Sequence, residues 1–382
     1  MTPIIRFAGH SLLCALLCSW PSAAALAEAY IPARDNLVLD IVPARKSNPL
    51  DARIARLQGQ LAAQPQVFAR ASELAQAHLE RFRRDGDPRD LGQADALITP
   101  WLQTRPIAPL ALLLRASIRQ SNHQFDLALA DLDTVMRASP GNTEALLMRA
   151  SILQVQARYA DARESCGGLV MQDAVIAGVC LANVLVVSGQ PQQGVALLQR
   201  LAPQAPDSHG VSAWVWASLG EAASWRGNTQ LAEQALRAGR KVSPDDAYLK
   251  TAWADYLLSQ HRGAEVQKLL ADDTRNDNLL LRLAMAEQQT RDDALAGHIA
   301  DLNARFAAAA ARGDRVHLRE EAMFRLYLLK QPEAALKLAQ ANWQVQKETA
   351  DARILLASAR AARQPAAASP ALQWFKQAGL PA

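Results

Sequence analysis

The chain has 382 residues, of which 50% are hydrophobic and only 5% aromatic. This composition favours packed helices over sheets. The 41 basic and 37 acidic side chains give a formal charge of +4 and form no block of like charge, so neither a nucleic-acid partner nor a charged membrane-binding patch is expected.

The first segment has the pattern of a secretory signal. Arg6 precedes a mostly apolar stretch, residues 7–20, which is too short to span a membrane, and Ala25-Leu26-Ala27 forms a cleavage site. Cleavage after Ala27 predicts a periplasmic or secreted mature protein, with no membrane span in the rest of the chain. An uncleaved anchor or a buried helix is the alternative.

The mature chain is predicted to begin with an extended arm, residues 28–50, which is rich in proline and contains the sequence NLVLDIVP. From Asp51 onward apolar residues recur at helical spacing, interrupted about every fifteen residues by Gly, Pro or Asn. This rhythm predicts consecutive helix hairpins.

A repeat of about 34 residues underlies the hairpins. Small residues, Ala or Gly, occupy nine of the ten eighth and twentieth positions in five units, and proline closes three of the units. The units begin at Pro109, Thr143, Val175, Ala213 and Ala247.

The unit that begins at Ala213 is the most regular. Trp216, Leu219 and Gly220 match the W-x2-L-G pattern of the tetratricopeptide repeat, and Ala232 and Pro244 follow in their places. The chain therefore resembles tetratricopeptide-repeat proteins. The resemblance implies an all-α, right-handed superhelix (α-solenoid) of antiparallel helix hairpins, in which Gly220 lets the second helix approach closely.

The resemblance is strongest over residues 109–276, a core of about five repeats, and the flanking segments 51–108 and 277–382 look like degenerate repeats. The sequences VHLREEAMF and ALKLAQANWQVQKETADARILLA, among others, are similar to an exported bacterial tetratricopeptide family of unassigned function. This similarity implies localisation and fold but no reaction.

The common catalytic and cofactor-binding motifs are absent from the sequence. We therefore expect a non-enzymatic protein without cofactor or metal. His317 and Glu321, one helical turn apart, could offer two metal ligands, but a salt bridge to Arg319 or Arg315 is the favoured interpretation.

In tetratricopeptide repeats the first helix of each unit lines a concave groove, and the resemblance supplies the positions that face it. At these positions the predicted peptide-binding residues are Trp214, Glu221 and Trp225, with Asn183, Tyr248 and Asp255 in the neighbouring units. Trp214 and Trp225 lie about three turns apart and share one face, whereas Trp216 is expected to be buried in the packing. The N-terminal arm or a neighbouring unit could instead cover the two tryptophans.

No Lys or Arg occupies these positions, which argues against a clamp for a peptide carboxylate. The predicted groove is aromatic, amide-bearing and mildly acidic. It favours a scaffold or adaptor that binds a peptide segment of an envelope or secreted protein. The alternative is a module for cell-wall or exported polysaccharide, in which the tryptophans stack on sugar rings.

Two of the four cysteines, Cys14 and Cys18, are lost with the signal, and Cys166 and Cys180 remain. These two are predicted to lie level across an antiparallel helix pair, and an exported protein meets oxidising conditions, so we expect a disulfide between them. In the competing interpretation both are small buried side chains.

Overall fold

The computed structural model describes residues 48–206 and 209–382, and within these ranges it has nineteen α-helices and no strand. The predicted all-α class is confirmed. The expected signal peptide and the NLVLDIVP stretch lie outside the described residues. The predicted extended arm is wrong at its end, because Pro49 begins a helix and the Asn48 side chain caps it by accepting a hydrogen bond from the Leu50 N–H at 2.8 Å.

The helices follow one another with short connections. Three 3₁₀ turns, Thr99–Gln103, Ala202–Gln204 and Pro365–Ala368, occur in connections, and one π-helical turn, Phe324–Leu328, extends α16. The helices are α1 (Pro49–Ala63), α2 (Phe68–Asp85), α3 (Pro88–Ile98), α4 (Pro109–Ser121), α5 (Phe125–Ala138), α6 (Thr143–Val155), α7 (Tyr159–Gly167), α8 (Ala174–Val187), α9 (Pro191–Leu201), α10 (His209–Trp225), α11 (Thr229–Val242), α12 (Ala247–Ser259), α13 (Gly263–Leu270), α14 (Asp277–Thr290), α15 (Leu295–Ala311), α16 (Leu318–Met323), α17 (Pro332–Val345), α18 (Thr349–Ala361) and α19 (Ser369–Ala378).

From α2 onward the described helices pair into hairpins, α2 with α3 through α18 with α19. Each turn between the two helices of a pair contains one residue with positive φ, and only three of these residues are glycines. They are Gly86, His123, Ala157, Gly189, Gly227, His261, Arg291, Lys330 and Arg363. This recurring turn identifies an α-solenoid of antiparallel helix hairpins.

Three of the five core units have a first helix that begins within one residue of the predicted position and is capped by a polar side chain, namely α6, α8 and α12. Asn142 accepts a hydrogen bond from the Ala145 N–H at 2.9 Å and starts α6. Asp246 accepts one from the Leu249 N–H at 2.8 Å and starts α12. No helix in the described part of the chain combines the length and apolar character required to cross a membrane.

Gly220 lies at a close contact between α10 and α11. A Cβ atom added to Gly220 would lie 2.5 Å from Cγ of Leu236, a side chain that is 1% exposed. Gly194 on α9 is equally confined, since its Cβ would lie 2.7 Å from the backbone oxygen of Ala182 on α8. The predicted close approach at Gly220 is confirmed. The packing that it allows compensates for the low helix propensity of glycine.

Cys166 on α7 and Cys180 on α8 form a disulfide. Both side chains are buried within the core of the N-terminal hairpins. The bond therefore links the second helix of one hairpin to the first helix of the next, as predicted.

The solenoid turns back on itself, so that distant hairpins touch. Asn276 donates a side-chain hydrogen bond to the Arg84 carbonyl at 3.1 Å, across 192 residues. The Lys347 backbone N–H likewise donates to the Val155 carbonyl at 2.7 Å. The turn between α17 and α18 thereby reaches the end of α6 and closes one side of the concave surface.

Candidate functional site

A cavity of about 330 Å³ opens on the concave surface. First helices of four consecutive hairpins, α6, α8, α10 and α12, supply its walls, and the turn before α18 supplies one more residue. The lining residues are Leu147, Ala150, Ser151, Gln154, Val155, Cys180, Asn183, Trp214, Ser218, Glu221, Trp225, Tyr248 and Glu348. We call the surface formed by these four helices the concave groove.

Five of the six residues predicted to bind a peptide line this cavity: Trp214, Trp225, Glu221, Asn183 and Tyr248. The structure therefore gathers them at one place, and whether they bind a peptide stays a prediction.

Asp255, the sixth predicted residue, does not line the cavity. Its two carboxylate oxygens accept hydrogen bonds from the Arg282 guanidinium at 2.9 and 3.0 Å. Because the Arg282 side chain is only 5% exposed, its charge requires this partner. Asp255 therefore forms an ion pair that joins α12 to α14, and its role in peptide binding stays a prediction.

The three tryptophans of α10 differ less in burial than predicted. Trp214, Trp216 and Trp225 are all half-buried, so the expectation that Trp216 is buried is wrong. Trp216 packs toward α11, with its Cβ 3.0 Å from the position of a Cβ added to Gly239. Of the three, only Trp214 and Trp225 line the cavity. Their environment therefore differs from that of Trp216.

Glu221 and Tyr248 join two walls of the cavity. The Tyr248 hydroxyl donates a hydrogen bond to Glu221 at 2.5 Å. Burial among the surrounding protein raises the pKa of Glu221 to about 7, the Tyr248 hydrogen bond opposes this, and the carboxylates of Glu348 and Asp255 reinforce it. Burial, followed by the charge of Glu221, raises the pKa of Tyr248 well above its ordinary value.

Tyr248 is nevertheless 58% exposed. The cavity is open to solvent, and its polar groups remain accessible to a ligand.

Beside the cavity, Arg319 forms ion pairs with three carboxylates. Its guanidinium contacts Glu320 at 2.9 Å, Glu348 at 2.8 Å and Asp351 at 3.3 Å. Burial disfavours the charged guanidinium, but these carboxylates outweigh it and raise the pKa of Arg319 well above its ordinary value. One cation is thus shared among three acidic groups at the edge of the groove.

The pKa values of two carboxylates that contact Arg319 are shifted in opposite directions. Burial opposes ionisation of Glu320, yet Arg319, together with His317 and Arg282, lowers the pKa of Glu320 to about 2. Burial raises the pKa of Asp351, which Arg319 opposes and Glu348 reinforces. Asp351 is almost fully buried and also accepts a hydrogen bond from the Asn342 side chain at 2.7 Å.

Glu348 lines the cavity but was not predicted from the sequence, and it adds a second carboxylate to the cavity wall. It belongs to the turn between α17 and α18 and reaches the groove only because the solenoid returns to α6. The local sequence indicates a helix start at Thr349 but carries no sign of this return. Ser218 and Leu147, in contrast, lie on helices already assigned to the groove.

The weak metal candidate at His317 and Glu321 is explained by a salt bridge. Glu321 accepts hydrogen bonds from Arg325 at 3.0 and 3.2 Å. Arg325 is therefore the partner of Glu321, whereas Arg319, one of the two predicted partners, pairs with the neighbouring Glu320 at 2.9 Å. Among the residues that the structure describes, no three His, Cys, Asp or Glu side chains are placed to hold a metal ion together.

No protein-family model matches the sequence, and no curated protein matches it either. Solved structures that resemble the chain include the human IFIT1 dimer with PPP-AAAA, at 13% identity, with 86% of this chain and 77% of that chain covered and a TM-score of 0.49. Yeast Tom70 is 11% identical, with coverage of 86% and 81% and a TM-score of 0.40. A tetratricopeptide repeat protein from Parabacteroides merdae ATCC 43184 is 13% identical, with coverage of 75% and 98% and a TM-score of 0.39.

Proposed function

We propose that this chain is an exported, non-enzymatic tetratricopeptide scaffold that binds a peptide segment of an envelope or secreted protein in its concave groove. The observation that carries the proposal is the cavity, in which Trp214, Trp225, Asn183, Glu221 and Tyr248 meet although they come from three different helices.

The cavity suits a peptide in chemistry and in size. Half-buried tryptophans provide apolar area at low conformational cost, and they are frequent anchors of protein interfaces. The amides of Asn183 and Gln154 are placed to exchange hydrogen bonds with a peptide backbone. A volume of about 330 Å³ lies at the lower end of the range of ligand pockets, which is enough for an anchoring side chain and part of its backbone.

Export has separate support. Residues 7–20 and the Ala25-Leu26-Ala27 site have the pattern of a secretory signal, and the Cys166–Cys180 disulfide is typical of an oxidising compartment. N-terminal sequencing of the protein recovered from the envelope or the medium tests this part. A first residue of Glu28 is expected, and intact Met1 in the cytoplasm would contradict it.

Peptide binding is tested with a displayed random-peptide library selected on the purified protein. Selected peptides are then measured on a Trp214→Ala/Trp225→Ala double variant, with Trp216→Ala as the matched control on the same helix. We expect the double variant to lose most of the binding and the control to keep it. Circular dichroism establishes that each variant is folded.

Two outcomes would count against the proposal. Peptides that bind the double variant as well as the parent would place the binding surface elsewhere. Retention of purified cell-wall or exported polysaccharide, dependent on the two tryptophans and without any peptide binding, would favour the carbohydrate module instead.

A further inference from the structure

The charged groups that line the cavity are all acidic. Glu221 and Glu348 face it, and no lysine, arginine or histidine is among the described residues of its wall. The chain as a whole carries a formal charge of +4, so this local acidity is opposite in sign to the net charge.

Neighbouring cations neutralise these two carboxylates only in part, because the single cation that contacts Glu348 also contacts two other carboxylates. Arg319 is shared by Glu348, Glu320 and Asp351. The hydrogen-bond partner of Glu221 is the neutral hydroxyl of Tyr248, and within residues 48–206 and 209–382 no salt bridge joins Glu221 to a cation. The groove therefore keeps an excess of negative charge at a place that solvent reaches.

The two indole rings add a second feature that favours a cation. Elsewhere in the protein the guanidinium groups of Arg237 and Arg262 lie 5.1 and 5.8 Å from the ring centroid of Trp253. In the described part of the chain no cation occupies such a position over Trp214 or Trp225. A cation held between indole rings and carboxylates gains from both interactions.

We propose that the cavity receives a basic side chain, arginine or lysine, of the bound peptide, with Trp214 and Trp225 contacting its stem and charged head and with Glu221 and Glu348 neutralising its charge. This inference rests on the proposed peptide-binding function and specifies its anchor.

The test uses the defined peptide Ac-AARAA-NH2 and the same peptide with citrulline, which has nearly the shape of arginine but no charge. Binding is followed by quenching of tryptophan fluorescence and by calorimetry. We expect the arginine peptide to bind at least about tenfold more tightly, which corresponds to about 1.4 kcal/mol. The lysine peptide is expected to bind more tightly than a norleucine peptide for the same reason.

Glu221→Gln and Glu348→Gln are each expected to abolish most of the preference for arginine over citrulline. Glu164→Gln is the matched control, because it removes the same charge from an exposed position on α7 and should leave the preference unchanged. Equal affinity for arginine and citrulline, or an equal effect of all three variants, would overturn the inference.

The library selection separates this inference from the proposed function. Peptides that require the two tryptophans but show no enrichment in basic residues would leave the function standing and overturn the basic anchor. Arginine-peptide binding that requires Glu221 and Glu348, in the absence of any tryptophan-dependent library peptide, would support a cation site and contradict the peptide scaffold.

Discussion

The indole N–H of Trp374 donates a hydrogen bond to the hydroxyl of Tyr159 at 2.8 Å, between residues 215 positions apart. Tyr159 begins α7 and Trp374 lies on α19, so the contact joins the last described hairpin to the middle of the solenoid. The ring of Trp374 also packs edge-on against Trp343 and Phe375. The C-terminal hairpins are thereby fixed where the turn that contains Glu348 faces the groove.

Tyr159→Phe should loosen this junction. Trp374 is only 5% exposed, so its indole N–H would lose its acceptor without gaining full contact with water, at a cost of about 1–3 kcal/mol. Hydrogen–deuterium exchange should become faster in Ser369–Ala378 than in the parent protein. Unchanged exchange in that helix would mean that the hydrogen bond contributes little to the docking of the C-terminal hairpin.

The substitution of glycine by alanine should have opposite effects at two helical positions. Gly220→Ala places a methyl group against the buried Leu236 and should lower the free energy of unfolding by about 1–3 kcal/mol. At the exposed Gly92 an added Cβ meets nothing within 4 Å, so Gly92→Ala should raise it by up to about 1 kcal/mol. Urea unfolding compares the two, and a free energy of unfolding that Gly220→Ala leaves unchanged or raises would show that Gly220 is not specially confined.

The architecture could be predicted from the sequence because each repeat carries local signals for its own helix hairpin. Small residues such as Gly220 and capping residues such as Asn142 determine where helices cross and begin, and both are readable from spacing. The hairpin turns were harder to locate, since His123 and Lys330 occupy the positive-φ position that glycine occupies in other turns. In these turns the helix packing on either side imposes the backbone conformation, and the residue type gives little sign of it.

The candidate site was predictable only as far as it lies on consecutive repeats. Trp214, Trp225 and Tyr248 follow from the groove-facing positions that the repeat resemblance implies and that helical spacing supports. Glu348 depends on how the solenoid curves over many hairpins, which is a sum of small packing angles and not a property of any short segment. The ion pair of Asp255 with Arg282 was also missed. It joins α12 to α14, and spacing within one repeat does not show which side chains of the next repeat lie within reach.

Reduction of the Cys166–Cys180 disulfide should lower the melting temperature. The bond closes a loop with a sequence separation of 14, for which the chain-entropy model gives about 3 kcal/mol. Thermal unfolding with and without reductant measures the effect, and a Cys166→Ser/Cys180→Ser variant serves as the control that reductant should not affect. Two free thiols in the mass spectrum of the non-reduced, exported protein would contradict the bond.

Binding of a basic peptide should depend on pH through Glu221. The groups whose charge or hydrogen bond acts on this carboxylate are Tyr248 and Asp255 from α12, Arg319 from α16 and Glu348 from the turn before α18. With its pKa raised to about 7 by burial, Glu221 is largely protonated at pH 5.5 and largely ionised at pH 8. A cation favours the ionised form, so its binding must release a proton from Glu221.

The affinity of Ac-AARAA-NH2 should therefore be highest above about pH 7 and fall steadily as the pH is lowered to 5.5, because the protein then has to lose a proton before it can bind the guanidinium. Calorimetry in two buffers of different ionisation enthalpy should detect proton release near pH 7. Glu221→Gln, which has no carboxylate to titrate, should bind weakly and with a much flatter pH profile, whereas Glu164→Gln should keep the profile of the parent. An affinity that rises toward pH 5.5, or a profile that survives Glu221→Gln unchanged, would show that Glu221 does not hold the cation.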